Sequence, residues 1–206
     1  MKVLKNGDVV LENVRIIFPS IAEKDSSEYG RGRYHLTIVE PKSSEQVKQL
    51  REEIQRIVND NKLNIREQKY YPVKDGDRKY RDKAEIIEMD MSLDKEKKEE
   101  KLSKLEAYKD TFLMKVSSTN PPKVVNKYKQ VLDPKDILFN GALVNVHFAL
   151  WGYKTPGHGV ALLLKNILVL EEGRPSYGDI DAEDAFDLYF EEAPAADPND
   201  PNALPF

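Results

Sequence analysis

Residues 141–170 read GALVNVHFALWGYKTPGHGVALLLKNILVL. Apolar and polar side chains alternate over 142–153, the period of a strand whose two faces meet different surroundings. Ala142, Val144, Val146, Phe148 and Leu150 fall on one face; Asn145, His147, Trp151 and Tyr153 fall on the other. The connector holds Pro156, Gly157 and Gly159, residues suited to a tight turn. The return, Val160 to Leu170, is aliphatic except for Lys165 and Asn166. This pattern predicts a long antiparallel hairpin with a core face and an aromatic face. It assigns the return strand to the core, with no binding role of its own.

Working outward, VVLENVRIIF (9–18) predicts a first strand. Val10, Val14, Ile16 and Phe18 share its core face, Asn13 and Arg15 lie opposite, and Pro19 ends it. After a loop at 23–32, Arg33 to Val39 alternates again, with Tyr34, Leu36 and Ile38 inward and Arg33, His35 and Thr37 outward. It should pair with the first strand. Ser43 and Gln46 have capping-box spacing. Val47, Leu50, Ile54, Ile57 and Val58 then predict a helix over 44–61, packed on the sheet. Residues 66–83, REQKYYPVKDGDRKYRDK, mix cations and aromatics around an expected turn at Asp75-Gly76. Residues 93–108 predict a second helix, polar almost all round except for Leu102 and Leu105, within an exposed insertion at about 84–110. Thr111 to Ser117 reads as a strand with Phe112, Met114 and Val116 on one face, and 123–131 extends again after Pro121-Pro122. The fold expected is mainly β with helices (α+β): an OB-like five-stranded antiparallel barrel with one packed helix and a helical insertion. A β-sandwich is the competing architecture.

The 206 residues suffice for one sizeable domain with extensions. We place that domain at 1–170 and an acidic tail at 171–206. No apolar run approaches a membrane span, and the first ten residues, MKVLKNGDVV, show no secretory h-region. Cys is absent, which excludes disulfides, thiolate metal sites and Cys nucleophiles and fits a reducing cytoplasm. Residues 171–206 carry 11 carboxylates against the single Arg174; taken from totals of 36 acidic and 32 basic residues, this leaves 25 and 31 in 1–170, a net of +6 beside −10. A basic body with an acidic arm suits a polyanion-binding domain, and equally a solvated surface with a solubilising end.

Enzyme signatures are weak. His35, His147 and His158 have no metal-ligand spacing, and the G-x-G pieces at 30–32 and 157–159 read as turns. Asp75 and Asp77 with Glu85 suit a turn better than a divalent-ion set. We assign no catalytic residue, no metal and no cofactor. Single-stranded nucleic acid instead requires cations along the phosphates and aromatic faces for the bases. Trp151 and Tyr153, at i and i+2, share a face with His147 behind them. Arg15, Arg33 and His35 lie on the outward faces of the first two strands, with Arg31 in the loop between. Lys74, Lys79, Tyr80 and Arg81, beside Lys69, Tyr70, Tyr71 and Arg78, form the basic–aromatic cluster, and Lys115 and Lys123 come from later strands. Each has a plainer use: a strand Trp belongs to a core, charge runs are solvated, and edge lysines keep strands soluble. Trp151 stands apart because Val146, Phe148 and Leu150 set the core parity opposite to it, an argument that reaches Tyr153 only if the chain stays regular at Gly152.

After Leu170 the periodicity ends. Residues 182–192 hold Phe186, Leu188, Tyr189 and Phe190 among acids, a short helix or turn, and APAADPNDPNALPF (193–206) has a composition that does not fold alone. Its end, Asp197, Asp200, Leu204, Pro205 and Phe206, resembles the acidic tip of bacterial single-stranded DNA-binding proteins, with Asn199, Asn202 and Ala203 thinning the acids. That resemblance implies docking onto replication and repair proteins, carboxylates on basic residues and the Phe ring in an apolar pocket. The body resembles a family of bacteriophage single-stranded DNA-binding proteins with an OB fold. The resemblance rests on NVRIIFP (13–19), YHLTI (34–38) with Pro41-Lys42, KDGD (74–77), PKVV (122–125), GALVNV (141–146) and GVAL (159–162), in that order. It implies a phage replication, recombination or repair protein in the host cytoplasm, partnered by single-stranded DNA and, through the tail, by proteins; a homodimer is compatible with it. RNA binding or recombinational annealing is the alternative within this class, a phage scaffold or assembly protein the alternative from another, and a nuclease the least supported.

Overall fold

The computed structural model describes residues 1–28, 30–103, 105–155 and 157–172. The elements in order are β1 (Lys2–Val3), β2 (Val9–Asp25), β3 (Arg33–Pro41), α1 (Glu45–Asp60), β4 (Val73–Asp75), α2 (Gly76–Met89), α3 (Lys95–Ser103), β5 (Thr111–Ser118), β6 (Lys123–Asn126), α4 (Pro134–Ile137), β7 (Leu143–Tyr153) and β8 (Gly159–Glu171). The expected helix or turn at 182–192 and the tip residues Asp197, Asp200, Leu204, Pro205 and Phe206 lie outside the described residues.

Five strands form the barrel in the order β5-β3-β2-β7-β8, neighbours antiparallel. The ring closes through a parallel seam, Val116 opposite Leu162 and Ser117 opposite Leu163. The expected five-stranded barrel is therefore present, with mixed rather than purely antiparallel pairing. The seam is short because β5 and β8 diverge on either side of it. β4 takes the remaining edge of β5 and β6 that of β8. Inside, Val144, Val146 and Phe148 meet Leu11, Ile16, Leu36, Ile38, Met114 and Val116, all fully buried. Helix α1 adds Val47, Leu50 and Ile54 to the same core at the spacing the sequence shows.

β2 departs from the simple alternation. Asn13 and Phe18 both adopt positive φ, 54° and 50°, and pairing shifts register between Leu11 and Val14 and again between Ile17 and Ser20. These bulges put Val9 and Leu11 in the core in place of Val10, and leave Phe18 about half exposed. The strand also runs through Pro19 to Asp25 instead of ending there. No capping box forms, since Ser44 is the N-cap residue of α1 and makes no side-chain cap bond. The Gln46 side chain serves the first bulge instead: it accepts the Glu12 N–H at 2.9 Å and donates to the Glu12 carbonyl at 2.7 Å.

The 66–83 region is not a loop around a turn. Asp75 caps α2, its carboxylate accepting the Asp77 and Arg78 N–H groups. Gly76 is needed because a Cβ there would lie 2.1 Å from the Tyr108 carbonyl oxygen. The insertion is not merely exposed either. Ala84, Leu105, Tyr108 and Leu113 form a second small core, with Tyr80, Ile87 and Leu102 packed around it, so α2 covers the outer side of β5. Among the described residues no helix is long and apolar enough to cross a membrane.

Gln46→Ala removes both partners of the Glu12 peptide at a part-buried bulge. We expect a loss of about 1–3 kcal/mol in urea unfolding with an unchanged m-value; a midpoint equal to wild type would show the bulge to be held by other contacts.

Candidate nucleic-acid interface

The side chains that β7 and β8 turn outward meet those that β5 turns outward across the seam. Trp151 pairs with Ala161, Gly152 with Val160 and Tyr153 with Gly159 in unbroken register, so Trp151 and Tyr153 do share a face. With Ala161, Leu163, Ser117 and Ser118 they line an open groove of about 940 Å³. Trp151 is 56% exposed there. Tyr153 is half-buried; burial, and then the neighbouring Tyr70, pushes its phenol above the ordinary value. The glycines of the connector make this packing possible. A Cβ on Gly159 would fall 2.4 Å from the Tyr153 hydroxyl, and one on Gly157 would fall 2.7 Å from the Tyr70 ring. Neither has positive φ, so both are required for close approach and not for turn geometry.

Cations surround this floor. Arg31 and Arg33 line one side with Lys69, whose ammonium lies 4.9 Å from the Tyr70 ring centre. Arg31 stands at φ 53° between Gly30, which fits only because it lacks a Cβ against Asp25, and Gly32 at φ 68°. Past Arg33, Lys115 joins the groove to a second recess lined by Lys69, Lys74, Arg78 and Lys79. Burial, and then Arg78, lowers Lys74 to about 8. Burial also depresses Lys79, aided by Lys83 and Lys115. Lys115 is lowered by burial, opposed by Asp25 and reinforced by Arg31 and Arg33. Three nearby carboxylates are engaged, while Glu28 stands in the lining beside Arg31, Arg33 and Lys115. Asp75 lies 3.0 Å from Lys42, Asp82 lies 3.9 Å from Arg78, and Asp25, at about 2, is held low by hydrogen bonds from Ser27 and His35. Such a groove favours an anion brought from outside, and its exposed indole offers a face to an aromatic base.

The structure thus gathers Trp151, Tyr153, Arg31, Arg33, Lys74, Lys79 and Lys115 into one region. It places the other expected residues elsewhere. His35 points to its expected face but is 2% exposed, its Nε2 2.8 Å from Asp25. Arg15 donates to the Gly141 carbonyl and pairs with Glu171 at 3.3 Å. His147 accepts at Nδ1 from Asn166 and donates from Nε2 to buried Asp8, which Lys165 also contacts at 2.7 Å. Tyr80 packs into the second core, Arg81 lies exposed on α2, and Lys123 is exposed on β6 opposite Asn166. Asp75 and Asp77 clamp Lys42 at 3.0 and 2.6 Å, and among the described residues no group of three His, Cys, Asp or Glu has metal-binding geometry. Sequence reading missed Ala161 and Leu163, because β8 is aliphatic on both faces. Lys69, Tyr70 and Arg78, named with the basic–aromatic cluster but not among the expected contacts, line the groove and its second recess.

Comparison with known proteins yields a family model described as "Enterobacter phage Enc34, ssDNA-binding protein", matched over residues 7–198. Among solved structures, the single-stranded DNA-binding protein from bacteriophage Enc34 superposes with a TM-score of 0.62 at 20% identity, covering 89% of this chain and 92% of that one. The same phage protein in complex with ssDNA gives 0.63 at 18% identity, with 85% and 92% covered. The gp2.5 protein of bacteriophage T7, a single-stranded DNA-binding protein, gives 0.50 at 14% identity, with 87% and 99% covered. These similarities show a shared fold. No curated protein matches significantly.

Lys74 provides a test of the groove electrostatics. A lysine depressed to about 8 in the folded chain holds its charge at a disadvantage below that pH. The disadvantage fades as pH rises from about 8 towards the unfolded value, because the unfolded chain binds more protons in that window. Lys74→Met should therefore raise Tm at pH 7, with a smaller gain at pH 10. An equal gain at both values would assign the effect to packing instead of charge.

Proposed function

This chain belongs to the family of the Enterobacter phage Enc34 ssDNA-binding protein, and from that premise we propose that it coats single-stranded DNA without sequence preference, as a non-catalytic phage protein of replication, recombination or repair. The observation that carries this reading is the juxtaposition of an exposed Trp151 with Arg31, Arg33 and Lys69 on one groove wall. Bases stack on Trp151, and on Tyr153 where it emerges, each stacked base contributing about 1–3 kcal/mol. The phosphates follow Arg31, Arg33 and Lys115 towards Lys74, Arg78 and Lys79. The hydrogen-bonding groups of that lining include the cations and the hydroxyls of Tyr70, Ser117, Ser118, Thr119 and Tyr153, with no amide or carboxylate side chain among the described residues. Recognition by charge and stacking suits a coating protein. The acidic tail, with Asp197, Asp200, Leu204, Pro205 and Phe206 at its tip, recruits partner proteins and occupies the basic groove when DNA is absent. Its net charge of −10 beside a body of +6 supports this role. The host cytoplasm is the compartment in which such a protein works.

Oligo-dT should quench Trp151 fluorescence. Four phosphate contacts would give log K against log salt a slope of about −3. Trp151→Ala should weaken binding roughly tenfold or more; unchanged affinity would remove Trp151 from the interface. Deleting 197–206 should leave ssDNA binding unchanged or tighter while abolishing capture of partner proteins. Loss of DNA binding on truncation would refute the competing-tail model.

A further inference from the structure

Thr111 to Leu132 contains four lysines and no carboxylate. Lys115 belongs to the groove; Lys123, Lys127 and Lys129 lie beyond it on β6 and the turn that follows. Asn126 holds that turn. Its carbonyl accepts the Lys129 N–H and its N–H donates to the Gln130 carbonyl, both at 3.0 Å. Its Oδ1 accepts from the Tyr128 and Gln130 N–H groups at 2.9 and 3.1 Å, and its Nδ2 donates to Gln130 Oε1 at 2.8 Å. A bridge between Val125 and Val131 closes the base. The result is a stiff finger tipped by Lys127, Tyr128 and Lys129.

The tip is unusual for a solvated turn. Tyr128 is 70% exposed, with the Lys127 ammonium 5.1 Å from its ring centre. Lys127 and Lys129 make no ion pair among the described residues. Lys129 adopts φ 63°, a region that glycine or asparagine fills with less strain. A fixed aromatic face between two cations, without a carboxylate nearby in sequence, combines the two requirements of a single strand. We propose that the turn at 126–130 is a second single-strand contact outside the groove. Tyr128 takes the face of a base, Lys127 and Lys129 take the flanking phosphates, and Lys123 lies on the approach. The inference rests on the ssDNA reading of the groove, from whose rim the strand reaches the turn. Thr119 at that rim and Asn126 are seven residues apart, so they lie within about 25 Å of each other. OB-fold sites of up to about 16 nucleotides accommodate such a path.

The test uses the full chain with oligo-dT of about 5 and about 20 nucleotides, one shorter and one longer than the upper range of such sites. The Lys127→Ser/Lys129→Gly double variant and Tyr128→Ser should match wild type in short-oligonucleotide affinity and Trp151 quenching. With the long oligonucleotide each should bind about tenfold more weakly. For the double variant the salt slope should flatten by about 1.4, two contacts at about 0.7 each. Lys129→Gly alone should keep or raise Tm, since glycine relieves the left-handed backbone, which separates lost contact from lost fold. Wild-type affinity of the variants for the long oligonucleotide would overturn the proposal, as would an equal loss at both lengths. So would intact DNA binding with loss of an acidic peptide, which would make the turn a protein-docking surface. If no oligonucleotide quenches wild-type Trp151, the groove reading fails first and the finger with it.

Discussion

Two residue pairings, Val116 with Leu162 and Ser117 with Leu163, hold the barrel and the groove together. They close the ring, and they set the outward face of β5 against that of the β7–β8 hairpin. Without them Lys115 and Ser117 on β5 would lie at one end of the five-strand order, and the β7–β8 hairpin with Trp151 and Tyr153 at the other. A parallel seam demands a long crossover. The chain supplies it with β6, α4 and β7, which run between β5 and β8. The brevity of the seam matters as much as its presence. Because β5 and β8 separate on either side of it, β4 and β6 can occupy the remaining edges, which carry the sheet onward from the groove.

The groove sets binding against stability. Lys74, Lys79 and Lys115 are all depressed first by burial, and each also feels other cations. Neutralising them internally would require carboxylates facing the cleft. The fold supplies few: Asp75 is committed to the α2 cap and Lys42, Asp25 to Ser27 and His35, and Asp82 and Glu28 are outnumbered by the cations they line the recesses with. Charge left crowded in the free protein costs stability, and an anion bound at the groove would lessen that cost.

Much of the barrel was legible because β3, β5 and β7 keep a strict period of two. The parity argument that set Trp151 apart holds because the register stays regular through Gly152. β2 defeated the same argument at Asn13 and Phe18, where positive φ inserts bulges that residue type does not announce. α2 was missed for a different reason: it buries only Gly76 and Ala84, and its core-facing stripe of Tyr80, Ala84 and Ile87 stands among charged residues that read as a solvated run. The outward direction of His35 was read correctly, yet outward is not open. Asp25, at the end of β2, engages His35, as buried Asp8 engages His147. Facing direction is written in local periodicity; cover depends on residues far away in sequence.

That distinction also explains which glycines matter. In the connector the turn reading and the structural one agree on the residues and differ on the cause. Gly157 and Gly159 are not turn formers but the missing side chains under Tyr70 and Tyr153. Tyr70 enters from the turn before β4, nearly ninety positions earlier, and its ring settles on the hairpin only because both positions are bare. The aromatic wall is therefore assembled from two distant segments. One supplies the rings' footing and the other a ring with its own lysine, Lys69, already beside it. Trp151 needs no such footing, since it stands opposite Ala161, a small neighbour that leaves its face uncovered. Tyr153 and Tyr70 brace each other while Trp151 remains free. This division of labour follows from packing alone, and it leaves the indole, ahead of either phenol, the most open aromatic face of the groove.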